Sequence, residues 1–370
     1  MLVLRRMTDA PAVSTPLGWP GRARVRAARA VAKRLGAALS PGEPGMLSLG
    51  LLPSGLGRAI RDTPADIVHL HWVGGEAMSL GEIAEIRKPM ACTLHDAWAV
   101  SGAEHYRTRP PGQRGAADAW VWRRKCRLWS RLAPALVCPS RWMAGEVQAA
   151  SPFGSAAGIE VIPNTLAPDI FRAVEDRRAL RARLGLPAAG KVLLFGAQSS
   201  TSDPRKGFDL LRAALEHLDN QGTTATLAVF GAGSRETPPS GSPVVWLGPL
   251  SEEASLAEMY AAADVFVAPS RQDNFPNTVL EAQFCGTPVA AFAIGGMRDL
   301  VLPGETGALA APFEASALAT AIREALSLPE TGRAAIRQSA MDRFGPEVVV
   351  ARHTALYRHL LGAEHDMKGT

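Results

Sequence analysis

A chain of 370 residues, 47% hydrophobic and 20% charged, is long and apolar enough for two soluble domains with sizeable cores, and no apolar run approaches the about 18 residues of a membrane-spanning helix. Four scattered cysteines (Cys92, Cys126, Cys138, Cys285) lack metal-ligand or disulfide spacing, and Met1–Leu4 is too short a hydrophobic region for a signal peptide, so the expectation is a cytoplasmic protein. Charge is uneven: residues 1–150 hold 21 Lys/Arg against 11 Asp/Glu (net +10) and the remainder 19 against 24 (net −5), which argues for two domains with different partners and, with no nucleic-acid motif in view, for contact between the basic half and an anionic membrane.

In chain order, 21–36 (GRARVRAARAVAKRLG) reads as a helix with Arg22, Arg26, Arg29 and Lys33 on one face and Val25, Ala28, Ala32 and Leu35 on a weakly apolar side. Two readings stay open: a membrane-surface helix attracted to acidic lipid, or a solvated face packed through small residues. Asp66–Trp72 (DIVHLHW) has a buried-strand pattern that puts His69 and His71 on one face, where a structural role is expected. Pro89–His95 (PMACTLH) is a further strand, delivering His95 and Asp96 to the loop at its carboxyl end. The Pro/Gly/Arg-rich 107–118 reads as a loop, and 119–131 (AWVWRRKCRLWSR) as a basic aromatic helix whose Trp122 and Trp129 are core or interfacial anchors. The charged helical stretch 172–188 marks the boundary between domains 1–172 and 173–345, with a C-terminal segment 346–370.

The second half restarts with the strand Lys191–Gly196 (KVLLFG). Asp203-Pro204-Arg205-Lys206-Gly207 then precedes an apolar-periodic helix, and two adjacent cations on a tight turn suit a diphosphate, arginine gripping bidentately and lysine as a compact charge. Thr226–Ser234 (TLAVFGAGS) is a strand followed by a glycine loop at Gly231. Asp264–Pro288 (DVFVAPSRQDNFPNTVLEAQFCGTP) is the most informative stretch: a strand at 265–268, a loop, Asn277 as helix N-cap, a helix over 278–285 stopped by Gly286, and a second strand from Val289. Such a unit places its loop and helix N-terminus where open α/β sheets bind anionic ligands. Asp273 in the loop and Glu281 in the helix, separated by seven residues, fit either a sugar nucleotide's hydroxyls or a solvated loop with N-terminal helix charges. The glycines of Ile294–Met297 permit close backbone approach, and 314–361 is helical by pattern.

The string PSRQDNFPNTVLEAQFCGTPVAAFAIGG resembles the acidic-x7-Glu motif of the family 4 glycosyltransferases, most like the branch that builds exopolysaccharides such as colanic acid. TLHDAW…GAEHY, VIPNTLAPDIF and the RKG turn after KVLLFG are similar to further segments of that family, so the resemblance spans 60–315. It implies an α/β GT-B fold, two Rossmann-like doubly wound domains facing across a cleft, with the last helix crossing back to the first domain. The implied reaction is retaining, metal-independent glycosyl transfer from a nucleotide-diphosphate sugar to a glycan or lipid-linked acceptor in cell-surface polysaccharide synthesis, without a cofactor. By that resemblance His95, Arg205, Lys206 and Asp273 carry the chemistry: the two cations meet the leaving diphosphate, Asp273 the sugar hydroxyls, and His95 the donor sugar from the other domain. Gly196, Gly231, Asn277, Thr278, Val279 and Glu281 hold the donor, Glu281 at the ribose.

Three departures qualify the match. Asp273 stands where most relatives have Glu, Ala197 where many have Arg, and Met1–Leu4 resembles the second strand of such a domain, leaving its first strand and glycine turn, about 30 residues, unaccounted for and the N-terminal domain shortened. The acid-x-acid triplet Glu364-His365-Asp366 lies in the polar tail and is not expected to bind metal. The alternative function is a non-catalytic GT-B partner subunit of a polysaccharide assembly complex.

Overall fold

The computed structural model describes residues 14, 18–39, 47–106, 115–150, 158–196, 201–231, 241–250 and 252–368. The sequence readings at Met1–Leu4, 107–114 and Ala197 lie outside these residues, as do the side chains of 364–366. The chain divides into two compact units, Met1–Ile162 with His353–Thr370, and Pro163–Arg352. The first division thus falls ten residues ahead of the boundary placed at 172/173, because the segment through Phe171 packs into the second unit's core.

The first unit begins with α1 (Trp19–Leu39) and α2 (Leu56–Asp62), then alternates β1 (Val68–His71), α3 (Leu80–Ala84), β2 (Met90–Thr93), α4 (Ala116–Leu132), β3 (Ala135–Cys138), α5 (Arg141–Ala150) and β4 (Ile159–Val161). The four strands are parallel in the order β1-β2-β3-β4. Strands β2 and β3 are buried throughout, as expected where helices cover a parallel sheet on both faces. On α1, Val25, Ala28 and Ala32 are buried while Arg22, Arg26, Arg29 and Lys33 are exposed. Most of the apolar side therefore packs into the unit's own core, with Val25 in the main cluster and Ala32 in a smaller one, while Leu35 at its end is 37% exposed. On α4, Val121, Leu128 and Trp129 are buried, whereas Trp122 is half-buried.

The second unit runs α6 (Arg177–Arg183), β5 (Lys191–Gly196), α7 (Phe208–Asn220), β6 (Ala225–Phe230), β7 (Val244–Gly248), α8 (Glu253–Ala262), β8 (Val265–Ala268), α9 (Asn277–Phe284), β9 (Val289–Phe292), α10 (Met297–Leu300), β10 (Gly307–Ala310), α11 (Ala315–Ser327) and α12 (Arg333–Phe344). The last helix, α13 (Pro346–Lys368), begins here, and its part from His353 belongs to the first unit. The six-stranded parallel sheet has the order β10-β9-β8-β5-β6-β7. Alternating side chains divide between two cores: Leu193, Phe195, Val265 and Val267 on one face, Val192, Leu194, Phe266 and Ala268 on the other. Helices α7 and α11 cover the first face, α8, α9 and α12 the second. Strand order reverses between β5 and β8, and in a doubly wound sheet the crevice beyond the carboxyl ends of those two strands is the natural ligand site.

Among the described residues no helix is long and apolar enough to cross a membrane.

Candidate active site

The loops leaving β5 and β8 both open into that crevice. After β5, Asp203 caps a short 3-10 turn, Pro204–Lys206, by accepting from the Arg205 amide at 3.0 Å. The same carboxylate takes Arg205 Nε at 3.1 Å and Nη2 at 2.5 Å, so the guanidinium predicted for a diphosphate is folded back onto its own turn. Lys206 Nζ donates to Asp273 Oδ2 at 2.9 Å, joining two predicted site residues that lie on different loops. Gly207 has φ 69°, and a Cβ there would stand 2.0 Å from the Pro269 carbonyl oxygen; only glycine lets the two loops approach this closely.

Arg271, which sequence reasoning did not single out, ties the loops further. Its amide donates to the Arg205 carbonyl at 2.7 Å, and its guanidinium reaches the Pro204 carbonyl and both oxygens of Asp209. The hydrogen bond from Arg271 holds the Asp209 carboxyl below the usual range. From the β9 side, Gly295 has φ 47° and brings its backbone against the Asp273 carbonyl, where a Cβ would lie 2.0 Å from the oxygen. The crevice is thus built from three loops, with Lys206 and Asp273 at their junction.

Helix α9 departs from its sequence reading by one residue. Pro276 occupies the N-cap position, and Asn277 is the first helical residue, its side chain accepting from Asn164 Nδ2 at 3.0 Å. Val279 is fully buried and its amide donates to the Pro276 carbonyl at 3.1 Å, so it is already engaged and does not offer a donor to a ligand. Thr278 remains half-buried at the helix start. Glu281 accepts from the buried Tyr260 hydroxyl at 2.7 Å; burial raises its carboxyl above the usual range while that hydrogen bond pulls the other way.

The glycines further round the sheet have packing reasons. A Cβ on Gly196 would lie 2.4 Å from the Phe230 ring, so this glycine admits an aromatic side chain between β5 and β6. Gly231 has φ 67° and donates its amide to the Gly248 carbonyl at 2.8 Å, shaping the turn after β6.

In the first unit, His95 follows β2 at the carboxyl edge and lies 3.0 Å from His71 across the two ring nitrogens. The His71 ring in turn lies tilted against His69 at 4.2 Å between centroids; His69 bridges Thr93 Oγ1 at 2.8 Å and Tyr357 Oη at 2.6 Å, with His353 close by at 5.6 Å between ring centroids. Loss of solvent, then the neighbouring imidazoles, pushes His69 down to about 3 and His71 to about 4. Desolvation also lowers His95, outweighing Asp96. His69, His71 and His95 are therefore neutral at pH 7, and His95 is a hydrogen-bonding imidazole rather than a cation.

Asp96 is fully occupied. It accepts from the Trp98 amide, His105 Nδ1 and Trp72 Nε1, and these bonds hold it ionised against the cost of burial. Beyond His105, Nε2 lies 2.6 Å from Ser48 Oγ, which itself accepts from the Gly75 amide. Serine, histidine and aspartate are in line as in a nucleophilic triad, but Ser48 and His105 are each 1% exposed. The line is a strut that pins the loop after β1 to the segment before α2. Trp72, with φ 40° and 41% exposed, stands at the same carboxyl edge, and sequence reasoning gave it no role.

Two family models match the chain: Glycosyltransferase Family 4 over residues 12–169 and Glycosyl transferases group 1 over 190–327. The chain carries two glycosyltransferase-family domains. D-inositol 3-phosphate glycosyltransferase from Acidothermus cellulolyticus is 32% identical over 267 residues, covering 66% of this chain and 56% of that protein. The one from Xylanimonas cellulosilytica is 34% identical over 218 residues, covering 54% of this chain and 51% of that protein. This glycosyltransferase-domain chain thus spans about half the length of the curated relatives it matches. Among solved structures, sucrose-phosphate synthase from Thermosynechococcus elongatus superposes with a TM-score of 0.66 at 23% identity, over 83% of this chain and 77% of that one. Anabaena HepE in complex with UDP gives 0.63 at 21% identity, over 84% and 81%. These likenesses establish the GT-B fold for the paired glycosyltransferase domains.

Proposed function

We propose that this chain is a retaining glycosyltransferase that moves a sugar from a nucleotide-diphosphate donor to a glycan or lipid-linked acceptor in cell-surface polysaccharide synthesis. The observation that carries the reading is the Lys206–Asp273 pair at the β5/β8 crevice. Cation and carboxylate stand side by side where one ligand bearing both a diphosphate and sugar hydroxyls would meet them. Binding exchanges partners: Lys206 turns toward the diphosphate oxygens, and Asp273, released, accepts from the sugar hydroxyls. As the glycosidic bond to the diphosphate breaks, negative charge grows on the leaving oxygens, and Lys206 offsets it, joined by Arg205 once that guanidinium leaves Asp203. Pre-placed charge of this kind acts most strongly where water is excluded.

Glu281 takes the ribose hydroxyls; held by Tyr260, its carboxylate is oriented before the nucleotide arrives. The Asn277 and Thr278 end of α9 adds the positive end of the helix dipole. The role of neutral His95 toward the donor sugar rests on the family resemblance. No divalent metal and no resident cofactor enters this account.

The relatives support the reading: two are named D-inositol 3-phosphate glycosyltransferase, and the HepE structure holds UDP. A second reading, a non-catalytic subunit of an assembly complex, draws on the fact that Arg205 and Lys206 each already hold a carboxylate. A panel of nucleotide sugars tested for release of free nucleoside diphosphate decides between them. Turnover of one donor, lost on Lys206→Met, is the expected result. Binding without turnover of any donor, with or without acceptor glycans, would favour the subunit.

A further inference from the structure

A shallow groove runs between α3 and α4 in the first unit, lined by Arg87, Arg124, Arg127 and Arg131 around apolar residues that include Ala84 and Leu132. Its position follows from the winding. In a parallel sheet each crossover helix returns antiparallel to the strands, so Arg87, just before β2, and Arg131, just before β3, sit toward the amino edge. His95 and Trp72 follow β2 and β1 at the carboxyl edge. The arginine end of the groove therefore lies at the opposite edge of this sheet from His95 and Trp72.

The four guanidiniums stand apart from the paired arginines around them. On nearby α2, Arg58 pairs with Asp62 and Arg61 with Glu85. Among the described residues, none of Arg87, Arg124, Arg127 and Arg131 has a carboxylate partner, and no carboxylate lines the groove. Arg124 is the most telling. Its guanidinium lies over the exposed Trp120 ring at 4.6 Å, and its Nη1 is shut from water with no acceptor. A desolvated, unpaired guanidinium nitrogen costs free energy that an adjacent anion recovers. The rival basic face, α1, exposes Val31 and Leu35 beside its charges, and the paired variants below tell the two faces apart.

We propose that the α3–α4 groove docks the phosphate headgroup of an anionic phospholipid, making this face the chain's contact with a membrane. Guanidiniums grip phosphate oxygens bidentately, and the apolar residues between them accommodate the first carbons below the headgroup. The proposal is independent of the transfer reading, because vesicle binding needs neither donor nor turnover.

The test is flotation of the full chain with vesicles of phosphatidylcholine alone and of phosphatidylcholine with phosphatidylglycerol, at low and high salt. Binding is expected to the anionic vesicles only and to weaken with salt. The variant Arg87→Gln/Arg127→Gln/Arg131→Gln should lose on the order of 100-fold in partition, and Arg127→Gln alone, at an exposed position safe for folding, about fivefold. The corresponding variant of α1, Arg22→Gln/Arg26→Gln/Lys33→Gln, should bind as the parent does. Equal binding by the groove variants, loss confined to the α1 variant, or no binding to either vesicle overturns the assignment. So does capture of inorganic phosphate or duplex DNA, lost in the same variants, without vesicle binding.

Discussion

Replacing Lys206 with methionine removes a positive charge from the β5/β8 crevice while keeping most of the stem's volume. In the unliganded protein Lys206 and Asp273 are 2.9 Å apart with side chains 24% and 17% exposed. Both are largely buried, so removing the cation also leaves Asp273 without its partner, a cost of about 1–3 kcal/mol that should lower the unfolding midpoint without preventing folding. The effect on chemistry is larger. During transfer the charge that Lys206 faces is growing, and losing one such donor typically costs ~3 kcal/mol, a fall in kcat on the order of 100-fold or more. Donor KM should move far less, because the interaction strengthens only as the bond breaks. The assay is steady-state release of nucleoside diphosphate from whichever donor the panel identifies, beside thermal unfolding of the same preparation. Asp273→Asn is the companion variant: it frees Lys206, so affinity for the nucleoside diphosphate product should hold or rise while transfer falls. A Lys206→Met protein with kcat within about threefold of the parent would remove this lysine from the reaction and leave the pair as a loop tether.

The histidine cluster sets the acid limb of stability. His69 and His71 titrate at about 3 and about 4 in the fold against an ordinary 6.5, so the unfolded chain binds more protons below pH 6.5 and stability drains as pH falls from there toward about 4. The unfolding midpoint should drop across that interval, with a shallower slope in His71→Gln; an unchanged slope would contradict the assignment. Gly207→Ala places a methyl against the Pro269 carbonyl at a left-handed φ, and denaturant titration should show a loss of more than about 2 kcal/mol; a neutral result would mean the two loops are not held together. Transfer should survive EDTA, whereas activity lost on chelation and restored by Mg²⁺ would take the diphosphate away from Lys206 and Arg205.

What was legible in the sequence followed local chemistry. The strand at Val265–Ala268, the helix ending before Gly286 and the strand from Val289 stand within a residue of their expected bounds, because an apolar run, a left-handed glycine at φ 74° and a proline each act on their own neighbours. Asn277 failed as a cap for an equally local reason: the preceding proline takes the extended N-cap geometry itself. Contacts between distant segments were not legible. Lys206 and Asp273 are 67 residues apart, and each was placed in the site without the other as partner. His69 meets Tyr357 across 288 residues, and nothing in DIVHLHW announces that. Gly196 looked like a donor-facing glycine because its steric reason, the Phe230 ring, lies on another strand. Helix α1 illustrates the same gap. Its alanine stripe suits a bilayer or a core equally, and only the packed fold shows which positions are spent, with Val25 and Ala28 buried and Leu35 exposed.

The most direct test is a crystal structure of the protein soaked with the nucleoside diphosphate of its donor. The account expects the diphosphate beyond the carboxyl ends of β5 and β8, with Lys206 Nζ moved off Asp273 and onto its oxygens at the about 2.8 Å of a charge-assisted hydrogen bond. A diphosphate bound away from those two strand ends, with the Lys206–Asp273 pair still closed, would contradict it.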